Sequence, residues 1–256
     1  MRNIKLTIQY DGTGYIGWQN QPQFHGRSVQ QTLESALKKV LLHPVTIYGA
    51  GRTDAGVSAL GQVANFHTEN IIPIEKLILA LNHVLPNDIR ICEAKEVDQD
   101  FHARYDAGGK TYIYTIDQSS DCNVFLGHWA WQIPQRLDIG AMQEAALYMI
   151  GQHDFSQFCA AGGSAKSHIR RIDSLIIGQT EHINQLPWSA LPQPLLIEIS
   201  GNGFLYKMVR FITARLVAVG LGKYQPVDMQ KFLQNQMSIA IKPAPAQGLI
   251  LWQVKY

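Results

Sequence analysis

The sequence predicts an α+β fold. Alternating apolar runs of strand length and amphipathic helical stretches are interleaved in both halves of the chain, and tight-turn residues separate them. At 256 residues, 46% of them hydrophobic, the chain has ample core for one large domain or two of ordinary size.

The elements follow in order. Ile4, Leu6, Ile8 and Tyr10 alternate with Lys5, Thr7 and Gln9, the period of a half-buried strand, and the turn-forming Asp11-Gly12 ends the run. Ser28 and Gln31 have capping-box spacing. Val29, Leu33, Ala36, Leu37, Val40 and Leu41 then fall at helical intervals until Pro44 forbids continuation. Val45 to Tyr48 reads as a short strand feeding a glycine-rich loop, and Gln62 to His67 as a strand leaving it. A helix is expected over Ile74 to Val84, stopped by Pro86, and a strand over Ile89 to Val97.

Periodicity is lost from Phe101 to Gly109. A strongly alternating strand then begins at Lys110, with Tyr112, Tyr114 and Ile116 on one face and Thr111, Ile113 and Thr115 on the other. A boundary there divides the chain into halves of residues 1–106 and 107–256. The second half predicts a helix over Leu137 to Ile150 and strands over Ile172 to Gly178 and Leu195 to Ser200. A polar, proline-bearing insertion from Glu181 to Pro194 separates those two strands. Helices over Phe204 to Leu221 and Val227 to Asn235 and a closing strand over Gly248 to Tyr256 complete it. Both halves mix strands with helices, which suggests two related layers joined through a large sheet.

Composition narrows the function. No stretch approaches the roughly 18 apolar residues of a membrane span, and the chain opens on an alternating strand without a signal-peptide core. The expectation is a cytoplasmic protein with no membrane association. Cys92, Cys122 and Cys159 are too scattered for a disulfide framework or a thiolate metal site. A net charge of +2 is weak for a nucleic-acid binder, so any polyanion must meet local patches. The candidates are Lys38 with Lys39; Lys166, His168, Arg170 and Arg171; and Lys207, Arg210 and Arg215.

The most informative stretch is Gly51-Arg52-Thr53-Asp54-Ala55-Gly56-Val57-Ser58-Ala59. Glycines at 49, 51, 56 and 61 permit positive φ or close approach of another molecule. Taken alone, an Asp between glycines reads as an Asx-turn. Several chemical templates fail on particular residues. Gly51-x-x-x-x-Gly56 resembles a phosphate loop but continues with Val57 where lysine is required. Gly49-x-Gly51 reaches Asp54 where a dinucleotide fingerprint needs its third glycine. Gly162-Gly163-Ser164-Ala165 opens like a nucleophile elbow but ends in Lys166. No histidine has a His or Cys partner at metal-ligand spacing. A metal-free, cofactor-free carboxylate remains.

Such a carboxylate acts as nucleophile or base only while ionised, and a fixed cation nearby keeps it so. Arg210 lies on a largely apolar helix, where an unpaired guanidinium is costly to bury and pairing with Asp54 would satisfy both. From spacing alone, Arg210 reads equally well as a surface arginine of an amphipathic helix. Tyr112 reads either as a sheet-face aromatic or as a stacking platform for an exposed base.

The motifs, in order, resemble the tRNA pseudouridine synthase A (TruA) family over nearly the whole chain. Tyr10-Asp11-Gly12-Thr13-x-Tyr15-x-Gly17-Trp18-Gln19 resembles the family's opening signature, Ser28-Val29-Gln30 the start of its first helix, and Gly51 to Val57 its catalytic loop. Phe101-His102-Ala103-Arg104, Lys110-x-Tyr112-x-Tyr114, His153-Asp154-Phe155-Ser156 and Gly203-Phe204-Leu205-Tyr206-x-Met208-Val209-Arg210 follow. Ala244-Pro245-Ala246-Gln247-Gly248-Leu249 resembles the closing motif.

The resemblance implies a pseudouridine synthase fold, with two α/β halves of mainly antiparallel sheet around a positively charged cleft. It also implies isomerisation of uridine to pseudouridine in the anticodon stem-loop of tRNA, at positions 38, 39 and 40, without a cofactor. The expected assembly is a homodimer, and no protein partner is inferred. Asp54 is the implied essential carboxylate. It attacks C1′, adds to the uracil ring, or abstracts the ribose 2′ proton, and all three routes need it deprotonated. Arg52 is implied in base flipping or phosphate contact, Tyr112 in contact with the uracil, and Arg210 as the ion-pair partner of Asp54. The chain departs from the family pattern at Ser58, where the loop usually has histidine. Gln31 stands where glycine is common, and Tyr105-Asp106 where phenylalanine and serine are frequent. Ser58 bears on rate, substrate set and loop support. Two alternatives stand beside the main reading: a tRNA-binding or refolding paralogue with impaired catalysis, and a pseudouridine synthase acting on another RNA.

Overall fold

The structure, a computed structural model, describes residues 1–19, 25–121, 124, 126–163, 165–178 and 194–256. The expected insertion before Pro194, Cys122 and Ser164 lie outside the described residues. The chain forms two compact units, Met1–Gly108 with Ile250–Tyr256, and Gly109–Leu249.

In the first unit, β1 (Arg2–Tyr10) pairs antiparallel with both β3 (Ser58–Thr68) and β4 (Ile89–Val97). β10 (Leu249–Lys255) runs parallel to the start of β3, pairing Ile250 with Ser58. The alternation in β1 works as expected, with Ile4, Leu6 and Ile8 fully buried. Helix α1 (Val29–Leu41) begins where the Ser28 hydroxyl accepts the Gln31 N–H at 3.1 Å. It buries Val29, Leu33, Ala36, Leu37 and Leu41 along one stripe, each leucine contributing about 2 kcal/mol. It packs against α2 (Ile74–Val84), whose bounds and those of β4 match the sequence expectation.

The strand expected over Val45 to Tyr48 is shorter. Only β2 (Tyr48–Gly49) pairs, with Asn65 and Ala64 of β3. The Ile47 N–H is taken by the Glu34 carboxylate of α1 at 3.2 Å, so it is not available to a ladder. At the far side of the glycine-rich loop, β3 begins at Ser58 and not at Gln62, so the loop is tighter than its glycine content suggests.

In the second unit, β5 (Gly109–Asp117) pairs antiparallel with β9 (Leu195–Gly201), which pairs with β8 (Ile169–Gly178), which pairs with β7 (Gly151–Asp154). The two-residue β6 (Trp131–Gln132) lies parallel to β5. Neither β6 nor β7 stands out in the sequence, because runs so short carry no period. Helix α3 (Ile139–Leu147) is shorter than expected because Asp138 caps it, accepting the Ala141 N–H at 2.9 Å. Helix α4 (Met208–Gly220) starts later than Phe204, since Lys207 takes the left-handed conformation (φ 59°) and the preceding residues form a turn. Helix α5 (Asp228–Leu233) follows. Among the described residues no helix is long and apolar enough to cross a membrane.

Arg215 departs from its expected place in a basic patch. It is 2% exposed, because α4 is buried almost all round and so has no solvated side at that position. Its guanidinium lies 3.9 Å from the Phe232 ring centroid and 5.1 Å from that of Phe158. Desolvation lowers its affinity for a proton.

Candidate active site

The loop between β2 and β3 is held from beneath by the residues that follow β1. The Trp18 N–H donates to the Thr53 carbonyl at 3.0 Å, and the Gly56 N–H to that of Tyr15 at 3.4 Å. Tyr10 and Thr53 share a buried side-chain hydrogen bond of 2.8 Å. Gln62 donates to the Gly51 carbonyl at 3.0 Å. Tyr10 of the opening strand and the turn after it therefore act on a loop some 35 to 46 residues later in the chain. Burial pushes the Tyr10 phenol up to about 12, against a smaller lowering effect of its bonds with Thr53 and Gln62, so it stays protonated and available as a structural hydroxyl.

Two glycines make this closeness possible. Gly17 has φ +110°, and a Cβ there would lie 2.7 Å from the Thr53 carbonyl oxygen. A Cβ on Gly12 would fall inside the contact radius of the Val57 carbonyl. Of the loop glycines, Gly56 takes positive φ, at +79°, in the turn closed by the Val57 N–H on the Asp54 carbonyl at 3.1 Å. A second anchor sits alongside: Tyr15 donates to Asp88 at 2.6 Å, and Arg27 bonds the same carboxylate at 2.6 Å while lying over the Tyr15 ring. Burial, then the hydrogen bond to Asp88, pushes the Tyr15 phenol well above the usual tyrosine range.

On this support Thr53 is buried, Asp54 is partly exposed and Arg52 is exposed. The backbone is therefore gripped at Thr53 and Gly56 while the residues between them reach toward solvent, a geometry suited to presenting a carboxylate with little reorganisation. Ser58, where the resemblance leads to the expectation of histidine, is 3% exposed, and its hydroxyl accepts the Gly12 N–H at 3.0 Å.

The other two expected site residues belong to the second unit. Tyr112 is 7% exposed on β5, edge-on to Phe204 at 5.2 Å between centroids. Arg210 lies in the first turn of α4, where its Nε donates to the Ala244 carbonyl at 2.7 Å and its own carbonyl accepts the Ala244 N–H at 3.1 Å. The closing motif is thus tied to α4, and also to β5 through Tyr114, whose hydroxyl donates to the Pro245 carbonyl at 2.8 Å. Sequence reasoning missed the supporting roles of Tyr10, Thr53 and Gln62. Tyr10 was visible in the opening motif, but nothing in the sequence marked Gln62. Among the described residues no three His, Cys, Asp or Glu side chains are grouped as metal ligands.

A family model described as tRNA pseudouridine synthase matches residues 6–106 and 145–256. Arg52, Asp54 and Arg210 fall within the matched stretches and Tyr112 between them. The chain is 44% identical to tRNA pseudouridine synthase A of Acetivibrio thermocellus and 44% identical to that of Caldicellulosiruptor saccharolyticus, in both cases over 100% of each chain. It is 42% identical to that of Bacillus pumilus, over 99% of this chain and 98% of that one. Among solved structures, a Cbf5-Nop10-Gar1 complex overlays loosely, with a TM-score of 0.35 and 11% identity over 83% of this chain and 54% of that one. The chain belongs to the tRNA pseudouridine synthase family.

Proposed function

We propose that Asp54 is the essential carboxylate of a uridine isomerisation carried out on the anticodon stem-loop of tRNA, at positions 38, 39 and 40. Family membership makes the chain an isomerase that converts uridine to pseudouridine in tRNA. The reaction breaks the bond from ribose C1′ to N1, turns the uracil, and joins C5 to C1′. C5 gives up its hydrogen as a proton, and N1 gains one. A uridine stacked in a stem is out of reach, so it must be flipped out at a cost of a few kcal/mol.

The single observation that carries the assignment to Asp54 is the grip on its loop at Thr53 and Gly56, which leaves the aspartate between them partly exposed. In this reading Arg52 holds the flipped state by filling the vacated space or gripping a phosphate. Tyr112 contacts the uracil, and Arg210 pairs with the Asp54 carboxylate and orients it. The halves 1–106 and 107–256 supply one pair of these residues each. The protein works without a cofactor, in the cytoplasm, as a homodimer whose two copies enlarge the basic surface of a weakly charged chain. A sizing measurement that gave only monomer at working concentration would exclude the dimer.

The deciding experiment follows tritium release from uracil C5 of unmodified tRNA, with mapping of the modified positions. Asp54→Asn should abolish release while tRNA affinity, dominated by phosphate contacts, is largely kept. Wild-type release by that variant would remove Asp54 from the mechanism. Release by the wild type outside the anticodon stem-loop would point to another RNA or site, and binding without release to a paralogue that has lost catalysis.

A further inference from the structure

The segment that follows β4 is fixed to the polar face of the first unit's sheet. Cross-strand pairing sets Tyr48 opposite Asn65 and Asn65 opposite Lys5, so their side chains share one face. Two buried asparagines hold the segment there. Asn3 Nδ2 donates to the carbonyls of Asp98, Gln99 and Phe101 at 2.9, 3.3 and 2.8 Å. Asn65 donates to the Phe101 carbonyl at 3.2 Å and accepts the Ala103 N–H at 2.9 Å. The turn beyond is closed by the N–H groups of Tyr105 and Asp106 on the His102 carbonyl, both at 3.1 Å. The Asp106 carboxylate takes the His102 N–H at 2.8 Å, and His102 Nδ1 accepts the Arg104 N–H at 3.1 Å.

Three rings line up on this base. Tyr48 and His102 have centroids 5.2 Å apart, and His102 and Tyr105 4.4 Å apart, tilted by 44° and 39°. Tyr48 is 43% exposed and Tyr105 74% exposed, so neither tyrosine is there chiefly to fill a core. Exposed Arg104 lies over the Tyr105 ring, 5.8 Å from its centroid. Exposed rings held in fixed positions beside guanidinium groups are the parts with which proteins stack unpaired bases. Arg52 follows Tyr48 by four residues, a chain distance of at most about 14 Å. Acidic Asp98 and Asp100 lie at the other end of the segment, and Asp106 is engaged within the turn.

We propose that Tyr48, His102 and Tyr105 form a stacking shelf for an unpaired base of the RNA substrate, a few nucleotides from the uridine presented to Asp54. The proposal rests on the RNA-modifying reading of the site. RNA is favoured over a protein partner because the shelf carries a cation at its edge, Arg104, and a second, Arg52, within a short length of chain; a polyanion needs both charge and ring faces.

The test uses the intact protein and an unmodified anticodon stem-loop RNA carrying 2-aminopurine at each unpaired position in turn. Wild-type protein should quench one position. Tyr105→Ala should lose that quenching and raise the Kd about tenfold, whereas Tyr105→Phe should retain both. The slope of log Kd against log salt should be unchanged in Tyr105→Ala and fall by about one in Arg104→Ala. An unchanged thermal midpoint for Tyr105→Ala, expected for so exposed a ring, separates lost stacking from lost fold. Wild-type Kd and quenching in Tyr105→Ala would overturn the shelf while leaving C5 release, and with it the proposed function, intact. Quenching without C5 release by the wild type would support the shelf and sink the catalytic reading. Binding of a protein but no RNA by the same face would overturn the shelf.

Discussion

The hydroxyl of Ser58 accepts the backbone N–H of Gly12 at 3.0 Å, and both residues are buried. This bond ties the end of the Asp54 loop to the turn after β1, which gives the serine a supporting role at the position where the family resemblance leads to the expectation of histidine. Ser58→Ala would leave the Gly12 N–H without a partner and away from water, at a cost of about 1–3 kcal/mol. The expected result is a thermal midpoint lower by several degrees and a several-fold slower single-turnover release of the C5 label, with tRNA affinity within twofold of wild type. Wild-type values for both midpoint and rate would show that the loop does not depend on this bond.

Gly12 and Gly14 are close in sequence but differ in what a side chain would meet. At Gly12 a Cβ overlaps the Val57 backbone, which cannot move without displacing Asp54. At Gly14 the nearest atom is the flexible end of Arg27, at 3.6 Å. Gly12→Ala should therefore destabilise the protein by about 2 kcal/mol or more and remove most activity. Gly14→Ala should change stability by less than about 0.5 kcal/mol. Chemical denaturation and the label-release assay measure both, and equal effects at the two positions would contradict the close packing of the turn on the loop.

Arg215 is a buried cation held by rings and by two carbonyls. Its Nη2 donates to the carbonyls of Gln157 and Ile239 at 3.1 and 3.3 Å, while Nε and Nη1 have no hydrogen-bond partner among the described residues. Methionine at this position would keep the contact with Phe158 and Phe232 and remove a desolvated charge. Arg215→Met should stay within about 1.5 kcal/mol of wild type, and Arg215→Ala, which leaves a cavity between the rings, should lose about 3 kcal/mol. Urea unfolding compares them, and a methionine variant less stable than the alanine variant would show that the two carbonyl contacts outweigh the packing.

These cases show where the sequence was legible. β1, α1 and α2 could be read closely because each buries one face and ends on a strong terminator, Asp11-Gly12, Pro44 and Pro86 respectively. The Asp54 loop was conspicuous for its glycines and its Arg-Thr-Asp core. Its supports were not: Gly12 with Ser58 and Tyr10 with Thr53 meet only after β1 and β3 have paired, and Gln62 with Gly51 only once the loop has closed, so no local pattern announces them. The strand ending at Tyr48 was overestimated because a side chain from another element, Glu34, claims the Ile47 N–H. Arg215 was misplaced because helical periodicity says nothing about a helix covered on every side, where charge ceases to mark the exposed face.

The start of α5 should give the protein one acid-sensitive contact. The Asp228 carboxylate accepts Lys231 Nζ at 2.7 Å and the Gln225 N–H at 2.9 Å. The bond from Lys231, and then that from Gln225, hold its carboxyl below the usual aspartate range in the folded protein. A carboxyl whose folded pKa is depressed stabilises the fold above its unfolded pKa, about 3.9, and that contribution fades as pH falls through the folded value. Asparagine keeps an acceptor for the Gln225 N–H but loses the charge. Asp228→Asn should accordingly be less stable than wild type between about pH 5 and pH 7, and the difference should shrink below about pH 4 as the wild-type carboxyl protonates. Urea unfolding of both proteins across that range measures it. A gap that stayed constant down to pH 3 would mean that Asp228 acts through its shape and hydrogen bonding alone and that its charge adds nothing to the fold.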